Sequence, residues 1–199
     1  APTRGDADWV GGGHGGEGGD ANGTATIRPT YGSYLCPTNI GSGGDGTNGE
    51  ASGAGAVRLV VADETMIPAG ALITAAGAAD RANGSGGSIS LTTGTLAGGG
   101  DIRANGGDDS RGDGGGGRVA VILTDPGADF SSFDGAGGTL EAIGPNGSGD
   151  RTAAAGTVYR QAGDEADGEG TVYIDNDGTD ADAITHLPPS EGLLDNLTN

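Results

Sequence analysis

The chain has no lysine, and its nine cations, all arginines, stand against 28 aspartates and glutamates. The formal net charge of −19 would repel the phosphates of nucleic acids and of anionic membranes, so we expect no nucleic-acid binding. No apolar run approaches the roughly 18 residues that span a bilayer, and no membrane insertion is expected. Cations such as calcium are the natural partners of so acidic a surface.

Cysteine and aromatic residues are also scarce. Cys36 is the single cysteine, so the chain can form neither an internal disulfide nor a cysteine-based zinc or iron–sulfur site. Hydrophobic residues make up 33% of the chain and aromatic residues 4%, which is too little for a thick globular core. The only histidines, His14 and His186, lie outside any nucleophile motif, so we expect no enzyme activity.

What the chain has in abundance is glycine, with 46 residues. Such a composition is first interpreted as disorder, because ordering a glycine costs more backbone entropy than ordering any other residue. A repeated scaffold with cooperative backbone pairing is the alternative that would tolerate it.

A repeat is present. Short β-type runs follow glycine-rich stretches at steps of 30, 32, 30 and 39 residues. Their apolar anchors are Ile27, Val57, Ile89, Val119 and Val158. A second unit, an apolar residue followed by x-Ala-x-Gly, begins at Ile73, Ile102 and Leu140. Its period of two is that of a strand with one buried face, and no helical periodicity competes with it.

Two strands per repeat predict an all-β fold, a parallel β-helix (β-solenoid) with glycine-rich loops. Two arrangements of the glycine connectors remain open, namely flexible loops and packed polyproline-II strands. We expect one repeat domain over residues 1–177, with residues 178–199 as a cap or docking tail. The predicted thin core consists of Ile27, Val57, Leu59, Ile73, Ile89, Leu91, Ile102, Val119, Val121, Leu140, Val158 and Val172.

One acidic loop has the composition of a calcium site. Asp175, Asp177, Asp180 and Asp182 lie within eight residues, with Gly178 to bend the backbone. The spacing is not that of an EF-hand, which places its glycine at position six and a glutamate at twelve. The alternative is a solvated acidic loop. We predict these four aspartates as metal ligands, with calcium as the one expected cofactor.

The ordered set of glycine-plus-strand motifs at residues 84–91, 94–107, 114–121 and 155–159 resembles glycine-rich repeat proteins of bacterial cell surfaces. These are adhesin or fibre proteins with β-helix or autotransporter-passenger-like regions. The resemblance implies a secreted or surface-exposed chain with a role in adhesion or fibre formation, and it supplies no catalytic residue. The opening Ala1-Pro2-Thr3, without a methionine, agrees with the expectation of export.

These observations predict an extracellular structural protein, a self-assembling subunit of a filament or surface layer. Its expected partner is a further copy of itself, with surface polysaccharide as a second partner. The alternative is a cell-surface adhesin, or a β-helix module that binds or cleaves polysaccharide. Activity against a polysaccharide that depends on a carboxylate such as Asp108 or Asp109 would favour the alternative.

Overall fold

The computed structural model of the chain describes residues 9–21, 30–46, 50–109, 111–145, 152–181 and 183–188. Its long strands are β1 (Ala56–Met66), β3 (Ser88–Ala97), β5 (Arg118–Leu123) and β7 (Thr157–Gln161). Its three-residue strands are β2 (Leu72–Thr74), β4 (Asp101–Arg103), β6 (Thr139–Glu141) and β8 (Thr171–Tyr173). The helix α1 (Ser131–Asp134) is a single turn.

The strands form two sheets. The long sheet has the order β1-β3-β5-β7-β8, and the short sheet has the order β2-β4-β6. Every pair is parallel except β7 with β8, which is antiparallel. The arrangement is that of mixed sheets with mostly parallel strands, as in α/β proteins, although very little of the chain is helical.

The strand register confirms the repeat. Equivalent anchors lie side by side in the long sheet, in the order Val57, Ile89, Val119 and Val158. The second unit aligns in the same way in the short sheet, in the order Ile73, Ile102 and Leu140. Ile27 lies outside the described residues. Because a slip of one residue would turn every apolar side chain outward, burial of one face specifies this register.

The main core lies between the two sheets. Ile89, Leu91, Ile102, Val119 and Val121 are fully buried there, as predicted. At the outer strands the predicted core residues Val57, Leu59, Ile73 and Leu140 are only partly buried, because a neighbouring strand covers one side of each.

A second, smaller core covers the opposite face of the long sheet. Tyr34 packs there on Ala120 and Tyr159, and the rings of the two tyrosines lie 6.1 Å apart. Val172 belongs to this cluster rather than to the main core. The central strands are therefore buried on both faces, which explains how a chain with few apolar residues can order them.

Glycine-rich segments form a third body of structure, here called the glycine bundle. It consists of residues 11–19, 41–46, 50–55, 75–79, 82–87, 104–107, 112–117 and 153–156. Segment 82–87 exchanges backbone hydrogen bonds with six of the other segments, which are 11–19, 41–46, 50–55, 75–79, 104–107 and 112–117. A β-strand has only two neighbours in its sheet, so this packing is not a sheet.

The hydrogen-bond directions in segment 82–87 repeat every three residues. Asn83 and Gly86 both donate to segment 112–117, while Gly84 and Gly87 both donate to segment 75–79. The Ser85 N–H donates in a third direction, to the carbonyl of Ser42. Three residues per turn is the geometry of polyproline II. The connectors are therefore ordered and mutually hydrogen-bonded.

The predicted parallel β-helix is wrong. The described residues form no closed solenoid, because the third side of each repeat enters the glycine bundle, where it bonds to several segments instead of one neighbouring rung. The chain also reverses at β8, which pairs antiparallel with β7 and ends the regular stacking of the long sheet.

The expected boundary at residue 177 stays a prediction. Part of the expected tail contacts the glycine bundle, because Glu17 accepts from the Ile184 N–H at 3.0 Å and contacts His186 Nε2 at 3.0 Å. The Thr185 hydroxyl also donates to the carbonyl of Ala155.

Candidate functional site: an open cleft beside the short sheet

The two sheets have different numbers of strands, and this difference creates a cleft. The long sheet continues through β7 and β8, whereas the short sheet ends at β6. The space where a fourth short-sheet strand would lie is a cleft of about 340 Å³, here called the open cleft. The sequence carried a signal for it, since the apolar-x-Ala-x-Gly unit follows Val57, Ile89 and Val119 but not Val158.

The floor of the open cleft is the part of the long sheet that the short sheet leaves uncovered. Val158, Arg160 and Tyr173 line it. Val158 packs into the main core, and Tyr173 lies directly opposite it in the β7–β8 pair, so both side chains face the cleft side of the sheet. Tyr173 is 47% exposed, an unusual state for an aromatic side chain in a chain with so few of them.

One wall of the open cleft is the free edge of β6. Thr139 donates its N–H to Gly100, and the Glu141 carbonyl accepts from Ala104, so both residues turn their backbone groups toward β4. Neighbouring residues of a strand point in opposite directions, and the backbone N–H and C=O of Leu140 therefore face the cleft. These groups can pair with an added strand.

Carboxylates surround the cleft. Asp134, Glu141, Asp175 and Asp177 all line it. Arg160 is the cation among the lining residues, and it binds both oxygens of Asp134 at 2.6 and 2.8 Å. The Arg160 guanidinium also lies 4.0 Å from the centre of the Phe130 ring. Both hydrogen bonds come from Nη2, and together with the ring contact they hold Arg160 in place. The lining residues keep a net negative charge.

Glu141 is held by a second arginine. Arg103 contacts Glu141 across the short sheet at 3.2 Å and Asp101 of its own strand at 2.9 Å. Asp175 and Asp177 have no ion pair among the described residues, and the Asp177 N–H donates to the Asp175 carboxylate at 2.9 Å. These two carboxylates are therefore the ones available to a cation from outside.

The predicted calcium ligands divide between the cleft and its surroundings. Asp175 and Asp177 line the cleft, Asp180 is exposed on the following loop, and Asp182 lies outside the described residues. The loop is ordered by Asn176, which accepts from the Gly144 N–H at 2.9 Å and donates to the Ala153 carbonyl at 3.2 Å. Among the described residues, no three His, Cys, Asp or Glu side chains are grouped closely enough to hold a metal ion. Calcium binding stays a prediction.

At the opposite end of the stack, β1 is an edge strand of the long sheet in the part of the chain that the structure describes. No strand of the described residues pairs with its outer side, and β1 is the longest strand, with 11 residues. Ser88 donates to the Gly55 carbonyl, so alternate residues from Gly55 face β3 while Ala56, Arg58 and Val60 turn their backbone groups outward. Val60 is 69% exposed, and Leu72 on the neighbouring β2 is 53% exposed.

Sequence reasoning missed a buried polar group in the glycine bundle. The His14 ring is fully buried, lies 4.8 Å from the Tyr31 ring and contacts the Gly86 carbonyl through Nδ1 at 2.9 Å. Arg118, also fully buried, donates to the Tyr31 carbonyl and to the Thr157 hydroxyl. Residues 14, 31 and 118 are far apart in the chain and meet only in the folded structure, so no local sequence signal could have identified the group.

Within the described residues, no helix is long and apolar enough to cross a membrane. A comparison with known proteins finds no matching family model, no similar curated protein and no similar solved structure.

Proposed function

We propose that this chain is an extracellular structural protein that assembles with copies of itself into a filament or surface layer. The observation that carries the proposal is that, among the described residues, each end of the stack has an unpaired strand edge, including β1 at one end and β6 at the other. An unpaired edge presents backbone donors and acceptors to any strand that approaches it. Two different edges on one subunit allow an open, head-to-tail chain of subunits.

Composition supports the same proposal. The repeated strands and the glycine bundle are held by many backbone hydrogen bonds, as in repetitive structural proteins. The acidic surface would keep subunits apart until the edges meet or a cation screens the charge. Location outside the cell remains part of the proposal, and fractionation of the source cells would test it.

Electron microscopy of the purified chain, with calcium and then with chelator, tests the proposed function. We expect regular filaments or sheets. Their loss on chelation would place calcium at the contacts, and their persistence would show that protein contacts suffice. Dispersed monomers in both conditions, at concentrations up to the solubility limit, would contradict self-assembly.

A substitution at the β1 edge gives a sharper prediction. The Val60 N–H faces away from β3, so Val60→Pro removes an edge donor without removing a bond of the β1–β3 ladder. We expect this variant to raise the concentration needed for assembly by at least about tenfold, as loss of an edge hydrogen bond and its register would. The measurement is light scattering against protein concentration.

Val60→Thr is the matched control, because it keeps the backbone N–H and the β-branched shape. It should assemble almost as the parent does. Equal assembly of the proline and threonine variants would show that the β1 edge does not take part.

A sugar-binding role is the second candidate. The half-exposed Tyr173 beside Asp175 and Glu141 could stack on a sugar ring and accept hydrogen bonds from its hydroxyls. Calorimetric titration with neutral and acidic polysaccharides tests this candidate. Binding that Tyr173→Ala abolishes would support it, and the absence of heat with every polysaccharide would count against it.

A further inference from the structure

We propose that the contact between subunits is specific: the β1 edge of one copy enters the open cleft of the next, and Arg58 of the entering strand binds Asp175 and Asp177. This inference rests on the proposed self-assembly and adds to it the two surfaces that meet. Among the described residues, Arg58 is a cation without an ion-pair partner on the edge of β1. In the same part of the chain, Asp175 and Asp177 are carboxylates without an ion-pair partner beside the edge of β6.

Arg58 is the first element of the argument, because it alone among the described arginines lacks a partner in the chain. Arg103 and Arg160 form ion pairs, and Arg118 donates hydrogen bonds inside the protein. Arg81 and Arg111 lie 5.7 and 5.1 Å from the centre of the Trp9 ring. In a chain with so few cations, an exposed arginine without a carboxylate partner is a residue available to another molecule.

Shape is the second element. Arg58 and Val60 occupy alternate positions of β1, so both side chains lie on the same exposed face. The open cleft has a surface that matches each of them: an apolar floor of Val158 and Tyr173 for the valine, and an acidic border for the arginine. Val60 can cover the floor while Arg58 reaches the border, which removes two exposed apolar side chains from water together.

Backbone pairing is the third element. Leu140 turns its N–H and C=O into the cleft, and Arg58 turns its own outward from the β1 edge. A strand added to β6 would therefore use groups that have no other partner among the described residues of either subunit, as in recognition by β-strand addition. β6 itself has three residues, which sets the length over which an added strand can pair.

Simple continuation of both sheets from copy to copy is excluded by the same geometry. If β2 of a second copy paired with β6, its β1 would need the place beside β5 that β7 already occupies. Entry of the β1 edge alone avoids this clash. Because the cleft and the β1 edge are different surfaces, the contact is heterologous and leaves an unused β1 edge at one end of every oligomer and an unused cleft at the other.

Charge reversal tests the proposal, with chelator present so that no calcium occupies the carboxylates. We expect Arg58→Glu to raise the concentration needed for assembly by at least about tenfold, because it places a third carboxylate against Asp175 and Asp177. The control Arg58→Lys keeps the charge and should still assemble. Matching melting temperatures would show that the exposed substitution leaves the fold intact.

The cleft is tested by Asp175→Asn together with Asp177→Asn. Asparagine at residue 175 still accepts the Asp177 N–H, and asparagine at residue 177 tolerates the φ of 53° found there, so the loop should persist. This cleft variant should also fail to form filaments at concentrations where the parent does.

Mixing the two variants decides whether their surfaces meet. Arg58→Glu retains its cleft and the cleft variant retains its β1 edge, so equal amounts should form a one-to-one dimer that cannot grow, measurable by analytical ultracentrifugation. The absence of that dimer, or filaments of Arg58→Glu at the parent concentration, would overturn this interface. If the parent assembles neither with calcium nor with chelator, the proposed function fails with it. Parent filaments that form only with calcium, or normal filaments of both variants, would overturn this interface and leave self-assembly standing.

Discussion

Replacement of Gly84 by alanine is expected to lower the free energy of unfolding by about 3 kcal/mol or more, or to prevent folding. The φ of Gly84 is ordinary, so the cause is space rather than backbone conformation. A Cβ atom at this position would lie 2.0 Å from the carbonyl oxygen of Ser52. Backbone cannot turn aside as a side chain can, and segments 82–87 and 50–55 would have to separate.

Gly55 provides the matched control. It is exposed at the start of β1, its φ is ordinary, and a Cβ there would meet nothing within 4 Å. Gly55→Ala should leave the stability unchanged or raise it by about 0.4–1 kcal/mol, since alanine restricts the unfolded chain. Urea unfolding of both variants is the measurement. Equal stabilities would show that close packing of the glycine bundle does not hold the fold.

The second large effect is a loss of stability in acid that originates from His14. The Gly86 carbonyl can only accept, so Nδ1 carries the proton, and Nε2 is buried without a partner among the described residues. Burial lowers the pKa of His14 from 6.5 to about 4; the Arg118 cation also lowers it, against the opposing bond to Gly86.

The direction of the pH dependence follows from these values. The unfolded chain takes up the proton near pH 6.5 and the folded chain only near pH 4, so acid favours the unfolded chain. The contribution of neutral His14 is complete above pH 6.5 and declines as the pH falls to about 4. The decline amounts to about 3 kcal/mol.

Comparison of the parent with His14→Asn isolates this contribution from the titration of the many carboxylates. Asparagine can still donate to Gly86 but does not titrate in this range. We expect the free energy of unfolding, measured in urea from pH 7.5 to 4, to fall less steeply in the variant by about 3 kcal/mol over the range. Parallel curves for the parent and His14→Asn would contradict the prediction.

The strand pattern could be predicted because it is local. The apolar anchors alternate with a period of two and recur at nearly equal steps, and burial between two sheets then requires Val57, Ile89, Val119 and Val158 to align. The same pattern partly indicated the open cleft, since the second unit occurs three times and the described anchors number four. The predicted ligands Asp175 and Asp177 do lie at that cleft.

The β-helix was predicted wrongly because glycine carries no periodicity of its own. A glycine segment without side chains fits equally well as a loop, as a third solenoid face or as a polyproline-II strand, and only its neighbours decide between them. The burial of individual aromatic and cationic residues could not be predicted from the sequence either. Tyr34 and Arg118 look isolated in the chain, yet both are fully buried.

The sequence by itself determined the strands, their register, the main core and the acidic surface, because alternation, repeat spacing and composition act over short distances. The tertiary structure alone decided the glycine bundle and the buried His14 and Arg118. The physical reason is that close backbone packing and burial of a polar group depend on which distant segments meet, and chain order does not encode that locally.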